Sequence, residues 1–274
     1  MDLNSVTEIK RPGSADEITQ WRDGDAWLAG GTWLFSEPQP ATGTLIDLEQ
    51  LHWPALQPSS AGLDVAATCR IAELYRFAGP AEWIATPLLR KCCESLLASF
   101  KIWNAATVGG NICMSLPAGP MISLVVALEG VLTLWPRDAA PRQVRAVDFV
   151  VGNHANVLQP GELLRNIHLP ANALSKRSAF RCASLTRLGR SAALLIGTRG
   201  PDTDDLLLTI TAATDHPVQL RFARPPSADE LRQAIDRQIP AERYFDDAHG
   251  SAAYKRHLTR YFAEQIRAEL APGA

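Results

Sequence analysis

No stretch of this chain is apolar for long enough to cross a bilayer. Its longest apolar run, 124–135, is interrupted by Glu129 and Gly130 and falls well short of the ~20 residues a spanning helix needs, so no membrane association is expected. An excess of one charge is missing too: 27 Lys and Arg stand against 29 Asp and Glu, a formal net charge of -2 with a pI near 6.3. Nucleic-acid binders carry a basic face, and nothing here supplies one. The first eight residues hold acids where a secretory leader is basic, and they contain no apolar segment, so a cytoplasmic chain is expected.

Cysteine is scarce and poorly spaced for chemistry. Cys69, Cys92, Cys93, Cys113 and Cys182 form no Cys-x-x-Cys pair, and the adjacent Cys92 and Cys93 are badly placed to grip one metal ion. No metal or iron-sulfur site is expected within the chain, and the thiols read as reduced, small apolar groups. There is no internal repeat and no low-complexity tract. Neither glycine pair described below forms Gly-x-Gly-x-x-Gly between a strand and a helix with an acid ~20 residues on, which excludes nucleotide binding of the Rossmann kind.

What is present begins with length: 274 residues, 46% of them hydrophobic, suffice for two compact domains with ordinary cores. Two glycine pairs then stand out. Ala29-Gly30-Gly31-Thr32 follows the apolar run Ala26-Trp27-Leu28, and Thr107-Val108-Gly109-Gly110-Asn111 precedes a helix-like stretch. Read as turns, each lets peptide N–H groups converge on an anion, because glycine accepts positive φ and leaves room for a ligand against the backbone. Thr32, Thr107 and Asn111 add side-chain donors, and a diphosphate, charged on both phosphates, is a reason to bring two such turns together. Dinucleotide binding is the chemistry implied. Glycine pairs are also common in purely structural turns, and spacing alone leaves the two readings open.

Along the chain, 15–21 reads as a short helix, 26–29 and 44–48 as strands, 62–67 and 69–71 as extended, and 88–99 as a helix with Leu89, Cys92, Cys93, Leu96 and Leu97 on its apolar face. Pro120 suits the first turn of a helix running to Glu129, before a strand over 131–135. A further strand over 162–169 closes at Pro170, where a domain boundary is expected. Extended segments at 179–185, 192–197, 206–212 and 218–222 suggest an antiparallel meander. Ser227 and Glu230 form a capping box that opens a helix. A last helix over 251–270 is expected to bury Tyr254, Leu258, Tyr261, Phe262 and Ile266.

The residues Ala29-Gly30-Gly31-Thr32-Trp33-Leu34, the run from Ala98-Ser99 and Lys101 through Asn111-Ile112-Cys113, and Pro117-Ala118-Gly119 carry a resemblance. It extends through Gly161-Glu162-Leu163-Leu164-Arg165 to Pro170 and ends with Asp247-Ala248-His249-Gly250-Ser251 to Arg256. In these the sequence resembles the FAD-binding medium subunit of the molybdenum hydroxylases, the xanthine dehydrogenase and carbon monoxide dehydrogenase type of enzyme. The resemblance implies an α+β fold. Residues 1–170 would form a two-part α/β FAD-binding domain of the vanillyl-alcohol-oxidase-like, PCMH-type kind, with subdomains of about 1–54 and 55–170. A C-terminal domain over 171–274, with a three- or four-stranded antiparallel sheet and helices, would follow. It also implies an oxidoreductase subunit of a heterotrimer, with iron-sulfur clusters on a small subunit and a molybdopterin site on a large one. FAD on this chain would take electrons from the clusters and pass them to an external acceptor that the sequence does not identify.

Carried over residue by residue, Gly30, Gly31 and Thr32 with Gly109, Gly110 and Asn111 would hold the FAD diphosphate, and Ala29 and Leu34 would pack beside it. Thr107 would tie the second turn down. Leu164 would pack on the flavin ring, and Arg181 would take the place of a lysine near the isoalloxazine pyrimidine edge, where a cation stabilises negative charge on reduced flavin. Three departures stand against the pattern. Pro120 replaces the usual acidic residue after Pro-Ala-Gly, removing an acceptor for the sugar part of FAD; Trp33 follows Gly-Gly-Thr where small polar residues are usual, free to stack on the cofactor or obstruct it; and 186–191 lacks the acids of some NAD-reducing members. The alternative reading is a structural subunit of the same complex with weak or lost FAD binding. A self-contained flavin oxidase fits less well, because the chain lacks a sizeable substrate domain and a cofactor-tethering His or Cys motif. Flavin electron transfer needs no general base, so His154, His168 and His249 read as surface or packing residues.

Overall fold

The computed structural model describes residues 3–18, 20–137, 139–200 and 203–271. The first sheet is parallel and three-stranded: β1 (Glu8–Lys10) and β2 (Asp25–Leu28) flank β3 (Thr44–Asp47). A five-stranded antiparallel sheet follows, interleaved with helices. Its first two strands are β4 (Leu56–Ser59) and β5 (Gly62–Ala66), after which come α1 (Ile71–Arg76), α2 (Pro87–Glu94), α3 (Phe100–Trp103), α4 (Val108–Cys113) and α5 (Pro120–Ala127). The sheet is completed by β6 (Val131–Trp135), β7 (Arg142–Arg145) and, beyond α6 (Ala146–Phe149) and the hairpin of β8 (Val150–Gly152) with β9 (Ala155–Asn156), by β10 (Leu163–Pro170), in the order β4-β5-β10-β6-β7. The short α7 (Ala171–Leu174) leads to a meander of β11 (Arg177–Ala183), β12 (Ala193–Arg199), β13 (Leu206–Thr211) and β14 (Val218–Phe222), then α8 (Ala228–Gln238) and α9 (Ala252–Glu269).

Alternation along β12 sorts side chains to two cores. Leu194 and Ile196 join the core shared by α2, α4, α5 and the five-stranded sheet, while Leu195 faces α8 and α9. Every residue of α5 is buried, as a helix hydrophobic all round must be. Gly197 lets α9 lie close on the sheet, because a Cβ there would come 2.2 Å from Ile266 Cγ2. The Ser227–Glu230 capping box forms reciprocally, and the Ser251 hydroxyl accepts from the Tyr254 amide to start α9.

Several expectations need correction. Only Ala15–Glu17 forms a single 3-10 turn where a helix over 15–21 was expected, because the Glu17 carboxylate already takes the Gly13 amide and the Ser14 hydroxyl and closes the turn on itself; Thr19 lies outside the described residues. The helix expected to reach residue 99 ends at Glu94, where the Ser95 hydroxyl donates to the Lys91 carbonyl at 2.9 Å and the chain turns away. Residues from Ile71 form a helix rather than an extended run, with the Glu73 carboxylate accepting from the Arg70 amide at 2.8 Å. Tyr261 is 53% exposed: the stripe of Leu258, Phe262 and Ile266 faces the sheet, and Tyr261 stands beside it, stacked on His257.

Candidate functional site

A cleft of about 870 Å³ opens where the three sheets meet. Its floor is the loop after β2, one wall is α4 with the start of α5, and the far rim is formed by the β8–β9 turn, Arg190 and residues 245–249. The loop is shaped for anions. The Phe35 amide donates to the Gly31 carbonyl and the Ser36 amide to the Trp33 carbonyl, both at 2.8 Å, which curls the backbone. Among the described residues, the amides of Gly30, Gly31, Thr32, Trp33 and Leu34 donate to no protein acceptor. Gly31 holds a left-handed φ of 67°, the geometry that turns successive amides into a concave nest. Gly30 is required for another reason: a Cβ would sit 2.0 Å from the Ala105 carbonyl oxygen, so the loop lies directly on the segment leading to α4.

The second glycine pair is a correction. Val108 to Asn111 form the first turn of α4 rather than a turn before it, and neither glycine adopts positive φ. The amides are already spent: Val108 donates to the Cys69 carbonyl, Gly109 to the Ala67 carbonyl, Gly110 to the Thr107 hydroxyl at 3.1 Å, and Asn111 to the Thr107 carbonyl. Gly109 is excluded from the cleft altogether. A Cβ on it would lie 2.5 Å from Ala67 Cβ, so its absent side chain is what lets α4 dock on β5. Gly110 does line the cleft, and a Cβ there would meet only Thr107 Oγ1, at 2.8 Å. Asn111 Oδ1 accepts from the Met121 amide at 3.1 Å, which fixes the side-chain orientation and leaves Nδ2, without a protein acceptor among the described residues, as the donor this wall offers.

Ala29, Gly30, Gly31, Thr32, Trp33, Leu34, Thr107, Gly110 and Asn111 all line this one cleft. Leu164 and Arg181 do not. Leu164 is 1% exposed, paired with Leu134 between two strands of the large sheet. Arg181 shares its face of β11 with Ala179 and Ala183, the face that packs on α9, and there it donates to Gln265 at 2.8 Å and Glu269 at 2.6 Å. Strand parity thus turns it away from the cleft. Pro120 is buried at the first position of α5 and lines the wall with no acceptor side chain to offer.

The site also contains residues that sequence reasoning left as packing or did not single out. His154, at a φ of 55°, lies with its ring 5.9 Å from that of Trp33 and tilted by 47°, and the guanidinium of Arg190 lies 5.9 Å from the same Trp33 ring. His249, Phe245 and Asp247 complete the rim. Behind them the fully buried Lys255 ammonium donates to Asp247 Oδ1 at 2.9 Å, and the His249 amide donates to the same oxygen at 2.8 Å, which holds the 245–249 wall in place. The sequence signal was the Asp247-to-Lys255 spacing across the cap of α9. Cys113 also lines the cleft, but burial pushes its thiol up to about 12, so it stays protonated at neutral pH and is no nucleophile. Among the described residues, no group of three or more His, Cys, Asp or Glu side chains is placed to hold a metal ion.

A nest of amides without protein acceptors among the described residues, an oriented amide donor and a close-approach glycine are what a dinucleotide diphosphate requires, so the residues present fit such a group. Comparisons with known proteins point the same way. The chain is 28% identical over 127 residues to xanthine dehydrogenase of Oryza sativa subsp. japonica, which is 44% of this chain and 9% of that protein. It is 24% identical over 195 residues to the glyceraldehyde dehydrogenase medium chain of Sulfolobus acidocaldarius, covering 68% of each. The first relative is thus matched over less than a tenth of its length, the second over two thirds. The fold matches carbon monoxide dehydrogenase from Hydrogenophaga pseudoflava, in a form lacking the Mo-pyranopterin moiety of its molybdenum cofactor, with a TM-score of 0.79 at 20% identity over 95% of this chain and 96% of that one. The mixed α/β fold is therefore of the PCMH-type FAD-binding kind, followed by the antiparallel meander and its helices. Residues 5–172 match the family described as the FAD binding domain in molybdopterin dehydrogenase, and the chain belongs to that family.

Proposed function

We propose that this chain is the flavin subunit of a cytoplasmic molybdenum hydroxylase, working in a heterotrimer with a molybdopterin-binding large subunit and an iron-sulfur small subunit. The observation that carries the reading is the loop of five amides, without a protein acceptor among the described residues, on the floor of a cleft large enough for a dinucleotide. FAD, when bound, would supply the redox chemistry that connects the partner clusters to an external acceptor. The chain's own residues bind and orient it. The amides of Gly30 to Leu34 and Asn111 Nδ2 receive the diphosphate, Gly110 permits its close approach, and Trp33 and Leu34 shape the wall. Residues 1–170 act as the FAD-binding unit, with parts of about 1–54 and 55–170, and 171–274 close the cleft through Arg190 and 245–249.

Pro120 favours a second reading, a subunit that keeps the fold and the assembly but holds FAD weakly, because this wall has lost a carboxylate and the α4 amides are all engaged. Purified chain incubated with FAD and passed through a desalting column separates the two. Retained flavin in a 1:1 ratio supports the first reading, and loss on the column supports the second. Substrate turnover by the isolated chain, without molybdenum or iron, overturns both.

A further inference from the structure

We propose that Arg190 is the charged clamp on the anionic part of the bound dinucleotide, its guanidinium steered there by Trp33. The proposal rests on the FAD reading of the cleft and adds a residue to it. The chain's other cleft-directed expectation for a cation, Arg181, is bound to Glu269 and Gln265 on the opposite face of β11. Arg190 differs: among the described residues it makes no ion pair and no hydrogen bond, and it is the arginine that lines the cleft. Its guanidinium lies 5.9 Å from the Trp33 ring, within reach of a cation–π contact, and Trp33 is itself the fourth residue of the amide loop.

Charge bookkeeping points the same way. Asp247 is the one carboxylate among the described lining residues, and it is already engaged by Lys255 and by the His249 amide. Among the described residues, no protein carboxylate thus remains in the cleft to pair with Arg190, which leaves its guanidinium free to meet a ligand anion. A guanidinium matches phosphate oxygens in a planar fork, and an anion seated on the loop amides would lie next to the ring beside which that fork is held. Trp33 then neither obstructs the cofactor nor replaces a lost contact; it aims the arginine.

The test is titration of apoprotein with FAD, followed by flavin fluorescence at several salt concentrations. Arg190→Gln is expected to weaken FAD binding about tenfold or more at low salt, with the two affinities converging as salt rises, because the lost contact is charge-assisted. Arg190→Lys is expected to recover only part of the affinity, because an ammonium keeps the charge and loses the planar fork. Arg190 is exposed, so the variant should melt with the parent. The proposal is overturned if Arg190→Gln binds FAD as tightly as the parent at low salt. It is equally overturned if the loss persists unchanged at high salt, which would mean that Arg190 acts only by packing on Trp33. If the parent itself does not bind FAD, the cleft reading falls and the role of Arg190 with it; parent binding with an unaltered variant removes the role of Arg190 alone.

Discussion

Replacing the two adjacent glycines of α4 one at a time should produce opposite phenotypes. At Gly109 an added Cβ lies 2.5 Å from Ala67 Cβ and 2.7 Å from the Ala67 carbonyl oxygen, the acceptor of the Gly109 amide itself. Neither atom can rotate away, so Gly109→Ala must push α4 off β5, an overpacking of about 1–3 kcal/mol or more. For a chain of this size that lowers Tm by about 2–4 °C per kcal/mol. At Gly110 the added Cβ meets only Thr107 Oγ1 at 2.8 Å. Disturbing that cap costs about 1 kcal/mol, and exchanging Gly for Ala inside a helix returns about 1 kcal/mol, so Gly110→Ala should melt within a few degrees of the parent. Its methyl nevertheless projects into the cleft. A clash of about 1–3 kcal/mol there weakens FAD binding roughly 5–150-fold, and the larger Gly110→Val should abolish retention. Thermal melts and fluorescence titrations of both variants are the assay. A Gly110→Ala protein that binds FAD as the parent does, or a Gly109→Ala protein with an unchanged Tm, refutes the division of labour between the two glycines.

Other outcomes follow from the same geometry. Pro120→Asp should tighten FAD binding by about 1.5–3 kcal/mol, roughly 10–150-fold, since a carboxylate at the first position of α5 also suits the helix dipole; equal or weaker affinity by titration would show that the missing acceptor is not limiting. Lys255→Met leaves Asp247 without its buried partner and should cost about 3–5 kcal/mol, read as a lower Tm together with faster FAD release as the 245–249 wall loosens. Burial works to raise the Glu162 carboxyl, but the two Arg142 bonds at 2.7 and 2.6 Å and the Gln159 amide outweigh it and hold it below its ordinary 4.5. Its contribution to stability is therefore fully present above about pH 4.5 and is lost as pH falls through the lowered folded value. Glu162→Gln should be less stable than the parent at pH 7 and converge with it toward pH 3, measured by melts across that range; parallel curves would refute the assignment.

Much of this protein was legible without coordinates wherever the determining interactions are local. The capping box at Ser227, the apolar stripe of α9 and the strands of the meander all follow from contacts within a few residues. The Gly30-Gly31 loop was legible for the same reason, since its curl is closed by hydrogen bonds three and four residues along. Tertiary structure alone decided the rest. The Val108 and Gly109 amides were lost to the carbonyls of Cys69 and Ala67, about forty residues earlier, which no local pattern announces. Whether Arg181 or Arg190 faces the cleft depends on which face of β11 receives α9 and on a tryptophan from the first sheet's loop. The sequence by itself therefore determined most of the elements and the curl of the Gly30-Gly31 loop, because hydrogen bonding and periodicity act over short range. The assembly of that loop with α4, Arg190 and the Lys255-braced wall into one cleft belongs to packing, because only close approach of distant segments leaves some donors spent and others free.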